Sequence, residues 1–183
     1  ACGHRCLLPP GRRGVCKVRV NTDGELRVPF GYTAGVACDP VEKKPFFHVR
    51  PGAGASTFGM LGCDLHCAYC QNWFTSQTLR DEDASTRLHP TTPERLVEGA
   101  RRAGAGLMVS SYNEPLITAE WAAAVFAAAR PAGLLCAMVS NGNATPEVID
   151  YLRPGLDALK IDLKSFRDQF VNLCGTEETV GPL

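Results

Sequence analysis

From about residue 55, segments typical of strands and of helices alternate at intervals of roughly 25 to 30 residues, which favours crossover connections between parallel strands. Such alternation predicts an α/β fold with helices packed on a parallel sheet. The predicted strands are the apolar runs 55–61, 106–110, 134–139 and 156–164.

Two predicted helices share one start signal. Thr92-Pro93-Glu94 and Thr145-Pro146-Glu147 each place a capping threonine before a proline that suits the first helical position. The first of these helices is expected to end near Ala103. An alanine-rich helix is predicted over 117–130, and a further helix is predicted to begin at 167–173.

The first fifty residues are expected to form a separate, cysteine-containing section ahead of a main body at 51–183. Apolar and polar residues alternate over 16–20 and again over 26–30, and the residues 21–24 between them are typical of a turn. This pattern predicts a β-hairpin.

The composition predicts a protein without a nucleic-acid or membrane partner. The chain has 183 residues, and its 19 basic residues balance its 19 acidic ones. No net charge attracts it to nucleic acid or to an anionic membrane. No apolar run approaches the roughly 20 residues that a membrane helix needs.

Three cysteines stand at the spacing C-x3-C-x2-C, namely Cys63, Cys67 and Cys70. A short loop can bring three thiolates to one [4Fe–4S] cluster and leave one iron without a protein ligand. An iron left open in this way can bind a small molecule and pass it an electron. We therefore predict a cluster site in this loop.

Two other interpretations of the cysteine loop stay open. Structural zinc usually has four ligands in two separated pairs, and His66 is poorly placed as a fourth because it lies between two of the cysteines. A disulfide framework would require a secreted chain, and no signal peptide is visible.

Polar motifs fall at the ends of the predicted strands, where ligands bind in parallel α/β folds. In the last strand, alternation predicts that Leu159, Ile161 and Leu163 pack outward while Lys160, Asp162 and Lys164 face inward. The motif residues are the three cysteines after the first strand, Asn113 and Glu114 after the second, Ser140 and Asn141 after the third, and Asp162 and Lys164 in the fourth.

The cysteine motif, with Tyr69 before its last cysteine, resembles the signature of the radical S-adenosylmethionine (SAM) superfamily. Further segments resemble the pyruvate formate-lyase-activating-enzyme-like branch and, within it, the AmmeMemoRadiSam-system proteins. These segments are Asp39-Pro40-Val41-Glu42-Lys43-Lys44-Pro45, Gln71-Asn72-Trp73, Tyr112-Asn113-Glu114-Pro115 and Asp162-Leu163-Lys164. The resemblance runs from about Cys2 to the end of the chain.

The resemblance implies a partial (β/α) barrel. Six βα units are usual in such a barrel, and at about 30 residues each they need roughly 190 residues. Only about four strands fit after residue 55, so we expect a barrel that is truncated at its carboxyl end.

The resemblance also implies two cofactors, a [4Fe–4S] cluster on the three cysteines and SAM. Glu114 would pair with the α-amino group of SAM, and Asn113 would add a carbonyl acceptor. Tyr69 would pack near the adenine. The alternatives are a solvated turn for Glu114 and core packing for Tyr69.

The resemblance implies further contacts from the last two strands. Ser140 and Asn141 would hydrogen-bond the ribose or the carboxylate of SAM, or they would form a simple turn. Asp162 and Lys164 would contact SAM, or they would pair with each other.

The implied reaction is reductive cleavage of SAM into methionine and a 5′-deoxyadenosyl radical, which abstracts hydrogen from a substrate. By the same resemblance, the substrate would be a glycine in a partner enzyme, or a small molecule or protein of the AmmeMemoRadiSam system. The resemblance implies an electron donor such as flavodoxin or ferredoxin, and an oxygen-sensitive cluster favours the cytoplasm. No catalytic residue is assigned. The alternative is a truncated protein that binds iron–sulfur or zinc without catalysis.

Other residues receive weaker predictions. Cys2, Cys6 and Cys16, together with His4, could form a second metal site or be unrelated thiols. Trp73 is expected in the core. Packing positions are predicted for the remaining cysteines, Cys38, Cys136 and Cys174.

Overall fold

The computed structural model describes residues 2–165 and Cys174. The helix predicted at 167–173 lies outside the described residues. The α-helices within residues 2–165 are α1 (Trp73–Ser76), α2 (Pro93–Arg102), α3 (Ala119–Ala129) and α4 (Pro146–Leu152). The nine strands of the described residues are β1 (Val20–Thr22), β2 (Glu25–Arg27), β3 (Tyr32–Thr33), β4 (Gly35–Pro40), β5 (Gly54–Gly59), β6 (His89–Pro90), β7 (Ala105–Ser110), β8 (Leu135–Ser140) and β9 (Ala158–Ile161).

Five strands form the central sheet in the order β4-β5-β7-β8-β9. The strands β5, β7, β8 and β9 pair in parallel, and β4 pairs antiparallel with β5. The prediction of an α/β fold with a mostly parallel sheet is therefore confirmed, and the sheet is compatible with a partial barrel. The truncation expected from the number of strands stays a prediction.

Alternate residues of β5, β7 and β8 supply two separate cores. In β7, Met108 belongs to the large core formed with α2, α3 and α4 on one face of the sheet. Leu107 and Val109 belong to a smaller core on the other face, where Val41 and Phe46 cover the strands. Because both faces are covered, the strands read as continuous apolar runs in the sequence.

The helices begin where the threonine–proline signals predict. In α2 the Thr92 side chain accepts a hydrogen bond from the Arg95 N–H, and Pro93 occupies the first turn. Thr145 precedes Pro146 at the start of α4 in the same way, without a side-chain cap bond. The segment predicted as one helix over 117–130 starts instead with a 3-10 turn at Pro115–Thr118 and becomes α3 only at Ala119.

The last strand is shorter than predicted and ends at Ile161. Ala158 packs against the smaller core, on the face of the sheet that Val41 and Phe46 cover. By alternation Lys160 faces the same side, and it pairs with Asp162. The expectation that the outward residues pack on helices fails within the described residues. Leu159 is 39% exposed and Ile161 is 48% exposed.

The amino-terminal section forms a short antiparallel pair of strands with other bounds than predicted. Val20 pairs with Arg27, and the turn lies at Asp23 and Gly24, which both have positive φ. The alternation over 16–20 does not reflect a strand, because Lys17 has a φ of 60° and its N–H closes a turn onto Gly14.

The strand β4 belongs to the first fifty residues of the chain, yet it extends the central sheet. The division into domains at residue 50 stays a prediction. Within residues 2–165 and Cys174, no helix combines the length and the apolar character that crossing a membrane requires.

Replacing Phe126 by alanine tests the large core. Phe126 is fully buried on α3, and its ring meets that of Phe58 at a centroid distance of 6.4 Å. We expect Phe126→Ala to lower the free energy of unfolding by about 3 to 5 kcal/mol, because the core cannot close the cavity that is left. The matched control Phe47→Ala, at a residue 59% exposed, should cost less than about 1 kcal/mol. Chemical denaturation measures both, and equal losses would contradict this assignment of the core.

Candidate functional site

The ends of the parallel strands surround one cavity of about 320 Å³. All ten residues predicted for the site line it, although they come from four separate segments of the chain. Their individual roles stay predictions. The ten are Cys63, Cys67, Tyr69, Cys70, Asn113, Glu114, Ser140, Asn141, Asp162 and Lys164.

The cysteine loop leaves β5 through a glycine that no other residue replaces easily. Gly62 has a φ of 93°, and a Cβ atom there would lie 2.3 Å from Cγ2 of Val18. Its N–H donates to the Thr75 carbonyl at 3.0 Å, which ties the loop to α1. The loop therefore turns sharply toward the cavity directly after the strand.

Arg80 fixes the same loop from outside the cavity. Its guanidinium donates to the carbonyl oxygens of Cys63 and Val15, each at 2.8 Å, and to Oε1 of Gln77 at 2.9 Å. Five guanidinium donors suit this task, because the carbonyls of a tight loop have no secondary-structure partners.

Burial raises the pKa of two of the three thiols. The pKa of Cys63 lies well above its ordinary value, because of burial first and then because of the nearby Asp64 and Glu114 carboxylates. Burial, with a hydrogen bond to Cys174, raises the pKa of Cys67 to about 12. Without metal both thiols hold their protons at neutral pH, so binding of iron must release protons.

The donor set fits an iron–sulfur cluster. Within the described residues, no three His, Cys, Asp or Glu side chains converge as they would on a single metal ion. A cluster needs a different arrangement, because each thiolate binds its own iron. Three thiols spaced along one loop and lining one cavity provide this arrangement.

Glu114 is the buried carboxyl group of the cavity. It is only 2% exposed and follows β7, at the cap of the 3-10 turn that Pro115 begins. Its Oε1 accepts from Leu116 N–H at 3.0 Å and from Ser140 Oγ at 2.8 Å, and its Oε2 accepts from Asn141 N–H at 2.7 Å. A carboxylate has about four acceptor positions, so about one remains for a ligand.

The pKa of Glu114 is raised to about 8, chiefly by burial and then by the charge of Asp64. A cationic group placed against this carboxylate would favour the ionised form and lower the pKa again. The site therefore suits a ligand that brings a positive charge.

The two residues predicted to bind the ribose or carboxylate are part of the support for Glu114. Ser140 donates to the Glu114 carboxylate and accepts from Gly142 N–H at 3.0 Å. The Asn141 side chain donates to Asp64 at 2.8 Å, and its carbonyl accepts from Asn143 N–H at 2.9 Å.

Asn113 is also engaged within the protein. Its side-chain carbonyl, predicted as an acceptor for SAM, accepts from Met60 N–H at 3.0 Å. Neighbouring Tyr112 has a φ of 73°, and its hydroxyl accepts from the buried Lys44 at 3.4 Å. Gly59 permits this approach, since a Cβ there would lie 2.4 Å from the Ser111 carbonyl oxygen.

Asp162 pairs with Lys164 at 2.9 Å while both residues line the cavity. The ion-pair interpretation and the ligand-contact interpretation are thus compatible. Tyr69 is 52% exposed, so core packing is wrong for it, and its hydroxyl contacts the Lys164 carbonyl and Cys174 Sγ.

Several weaker predictions change. Trp73 is 60% exposed and packs edge-to-face on exposed Phe74, so its placement in the core is wrong. Cys38 is exposed, whereas Cys136 and Cys174 are buried as expected. Cys2, Cys6 and Cys16 line one small cavity of about 130 Å³, and whether they bind a metal stays open.

Sequence reasoning missed Asp64 and its partner Asn143. Asp64 is 1% exposed, yet the sequence marks it only by its position beside Cys63. Asn143 donates to it at 2.8 Å from a loop 79 residues further along the chain. No spacing rule connects residues so far apart.

The site is thus a three-thiol loop beside a buried carboxylate, at the carboxyl edge of a parallel α/β sheet. Comparison with known proteins agrees with this chemistry. Residues 58–181 match the family model of the radical SAM superfamily. The chain therefore belongs to the radical SAM superfamily, whose members generally bind a [4Fe–4S] cluster and SAM.

The chain is also similar to an uncharacterized protein of Methanocaldococcus jannaschii. The two are 34% identical over 174 residues, which cover 94% of this chain and 51% of that protein. The chain thus spans about half the length of this curated relative.

The raised pKa of Glu114 predicts a pH dependence of stability. Between the ordinary value of 4.5 and about 8, the folded protein holds a proton that the unfolded chain has lost. Stability should therefore fall as pH rises through this window, by up to about 1.4 kcal/mol per pH unit, and level off above it. Denaturation of the cluster-free, reduced protein from pH 5 to 9 measures the slope. Glu114→Gln should remove this contribution, and equal slopes in the two proteins would contradict it.

Proposed function

We propose that this chain is a radical SAM enzyme in which Cys63, Cys67 and Cys70 hold a [4Fe–4S] cluster and the rest of the cavity binds SAM. One observation carries the proposal: three thiols and seven polar or aromatic residues from separate segments line the same cavity. When bound, the reduced cluster supplies the electron that cleaves SAM into methionine and a 5′-deoxyadenosyl radical, which abstracts hydrogen from the substrate.

The charged residues of the cavity suit the two charges of an amino-acid ligand. Glu114 keeps about one acceptor position for an ammonium group, because the protein occupies its other positions. Lys164 lines the cavity and brings an ammonium group that can bind a carboxylate. A volume of about 320 Å³ lies within the roughly 300 to 1,000 Å³ of ordinary small-molecule sites.

Apolar side chains of the cavity would help to orient the ligand and to exclude water from it. Leu65 and Val139 line the cavity beside the polar groups. Tyr69 stands at its exposed side, where an aromatic ring can stack on adenine. In this proposal no side chain acts as a general acid or base, and the chain binds and orients the reactants.

We extend the proposal to an activating-enzyme-like role on the strength of the sequence resemblance. The substrate would be a glycine of a partner protein, or a small molecule or protein of the AmmeMemoRadiSam system. Exposed Trp73 and Phe74 lie on α1, directly after the cysteine loop, and aromatic residues are enriched in protein interfaces. Flavodoxin or ferredoxin would supply electrons in the cytoplasm, and no nucleic acid or membrane takes part.

Anaerobic reconstitution with iron and sulfide tests the cluster and its reaction. We expect about four irons per chain, an electron paramagnetic resonance signal that changes when SAM is added, and 5′-deoxyadenosine after reduction. Cys67→Ala should lose the cluster and the product. The matched control Cys38→Ala, at an exposed thiol of β4, should keep both.

Two results would contradict the proposal. A protein that binds iron but forms no nucleoside would be the non-catalytic alternative. A colourless protein that retains zinc after aerobic purification would be a zinc-binding domain.

A further inference from the structure

The cysteine loop carries a buried carboxylate, Asp64, next to Cys63. Asp64 is 1% exposed, and it does not line the cavity that holds its neighbour Cys63. Its Oδ1 accepts from the Asn141 amide and its Oδ2 from the Asn143 amide, both at 2.8 Å. Burial of a carboxylate is costly unless such donors are present, so the loop after β8 is built to receive it.

Hydrogen bonds continue from Asp64 to the ligand-facing carboxylate. The side chain of Asn141 donates to Asp64, while its backbone N–H donates to Oε2 of Glu114 at 2.7 Å. The carbonyl of the same side chain accepts from Asn143 N–H. Asn141 is therefore held by hydrogen bonds at three of its atoms. Its orientation decides where the Glu114 carboxylate keeps an acceptor position for a ligand.

The amino-terminal segment packs on this network without lining the cavity. Gly3 N–H donates to the Asn143 carbonyl at 3.0 Å, and a Cβ on Gly3 would lie 2.2 Å from Oδ1 of Asn143. The His4 side chain is 8% exposed, and its Nε2 lies 3.6 Å from Oδ2 of Asp64. Gly3 and His4, about 60 positions before Asp64 in the sequence, thus shield the buried carboxylate from water.

We propose that Asp64, Asn143 and residues 2–4 form a brace that positions Asn141 and Glu114 to receive the cationic end of the ligand. Asp64 and Asn143 are then positioning residues, because neither lines the cavity. The inference rests on the proposed function, since the ligand in question is SAM.

A reciprocal exchange of the two residues tests the brace in the cluster-loaded protein. Asp64→Asn leaves one acceptor oxygen for the two amide donors of Asn141 and Asn143, and Asn143→Asp sets two carboxylates against each other. Each single variant should raise the Kd for SAM about tenfold, which corresponds to the loss of one buried hydrogen bond, with the iron content unchanged. The double variant D64N/N143D restores a donor opposite each acceptor and should bind SAM within about threefold of the wild type.

Asp157→Asn is the matched control. Asp157 accepts from Cys136 N–H at 2.8 Å and pairs with Arg130, at the opposite end of the strands from the cavity. This variant should bind SAM as the wild type does. The Kd is read from the change that SAM causes in the cluster signal, and iron content is measured beside it.

The outcomes separate the brace from the proposed function. Wild-type protein that loads a cluster but binds no SAM overturns both. Wild-type binding together with unchanged Kd values in the single variants overturns the brace alone. Loss of the cluster in the single variants without recovery in the double variant also overturns it, because Asp64 would then only stabilise the loop.

Discussion

Parallel pairing of β5, β7, β8 and β9 is the constraint on which the site depends. Parallel strands end at the same edge of a sheet, so segments separated by tens of residues in sequence meet there. The pairing itself depends on apolar cores on both faces of the sheet. The fold therefore brings the loops after these strands close together, and the side chains of those loops form the candidate site.

Two buried carboxyl groups dominate the electrostatics of that edge. Glu114 and Asp64 are both buried, and each raises the cost of ionising the groups around it, including Cys63. Hydrogen bonds from Ser140, Asn141 and Asn143 offset this cost. Cationic ligands and iron relieve it further, which is why the cavity suits a cluster beside an amino-acid ligand.

Sequence reasoning worked where one short segment carries the signal. Apolar runs located the four parallel strands but not β4, threonine–proline pairs located α2 and α4, and strand-end motifs located the cavity. It failed where alternation or residue type alone was used to predict a strand or a buried position. Residues 16–19 alternate without forming a strand, and Trp73 is exposed although large aromatic residues usually bury most of their surface.

The class of fold and the superfamily can be inferred from the order of residues, because strand periodicity and the C-x3-C-x2-C spacing are local properties. The tertiary structure alone decided that Asp64 meets Asn143 and that His4 covers them. Such contacts join residues about 60 to 80 positions apart, and only the closing of the sheet edge brings them within hydrogen-bonding distance. No local pattern records that distance, because loop geometry rather than composition sets it.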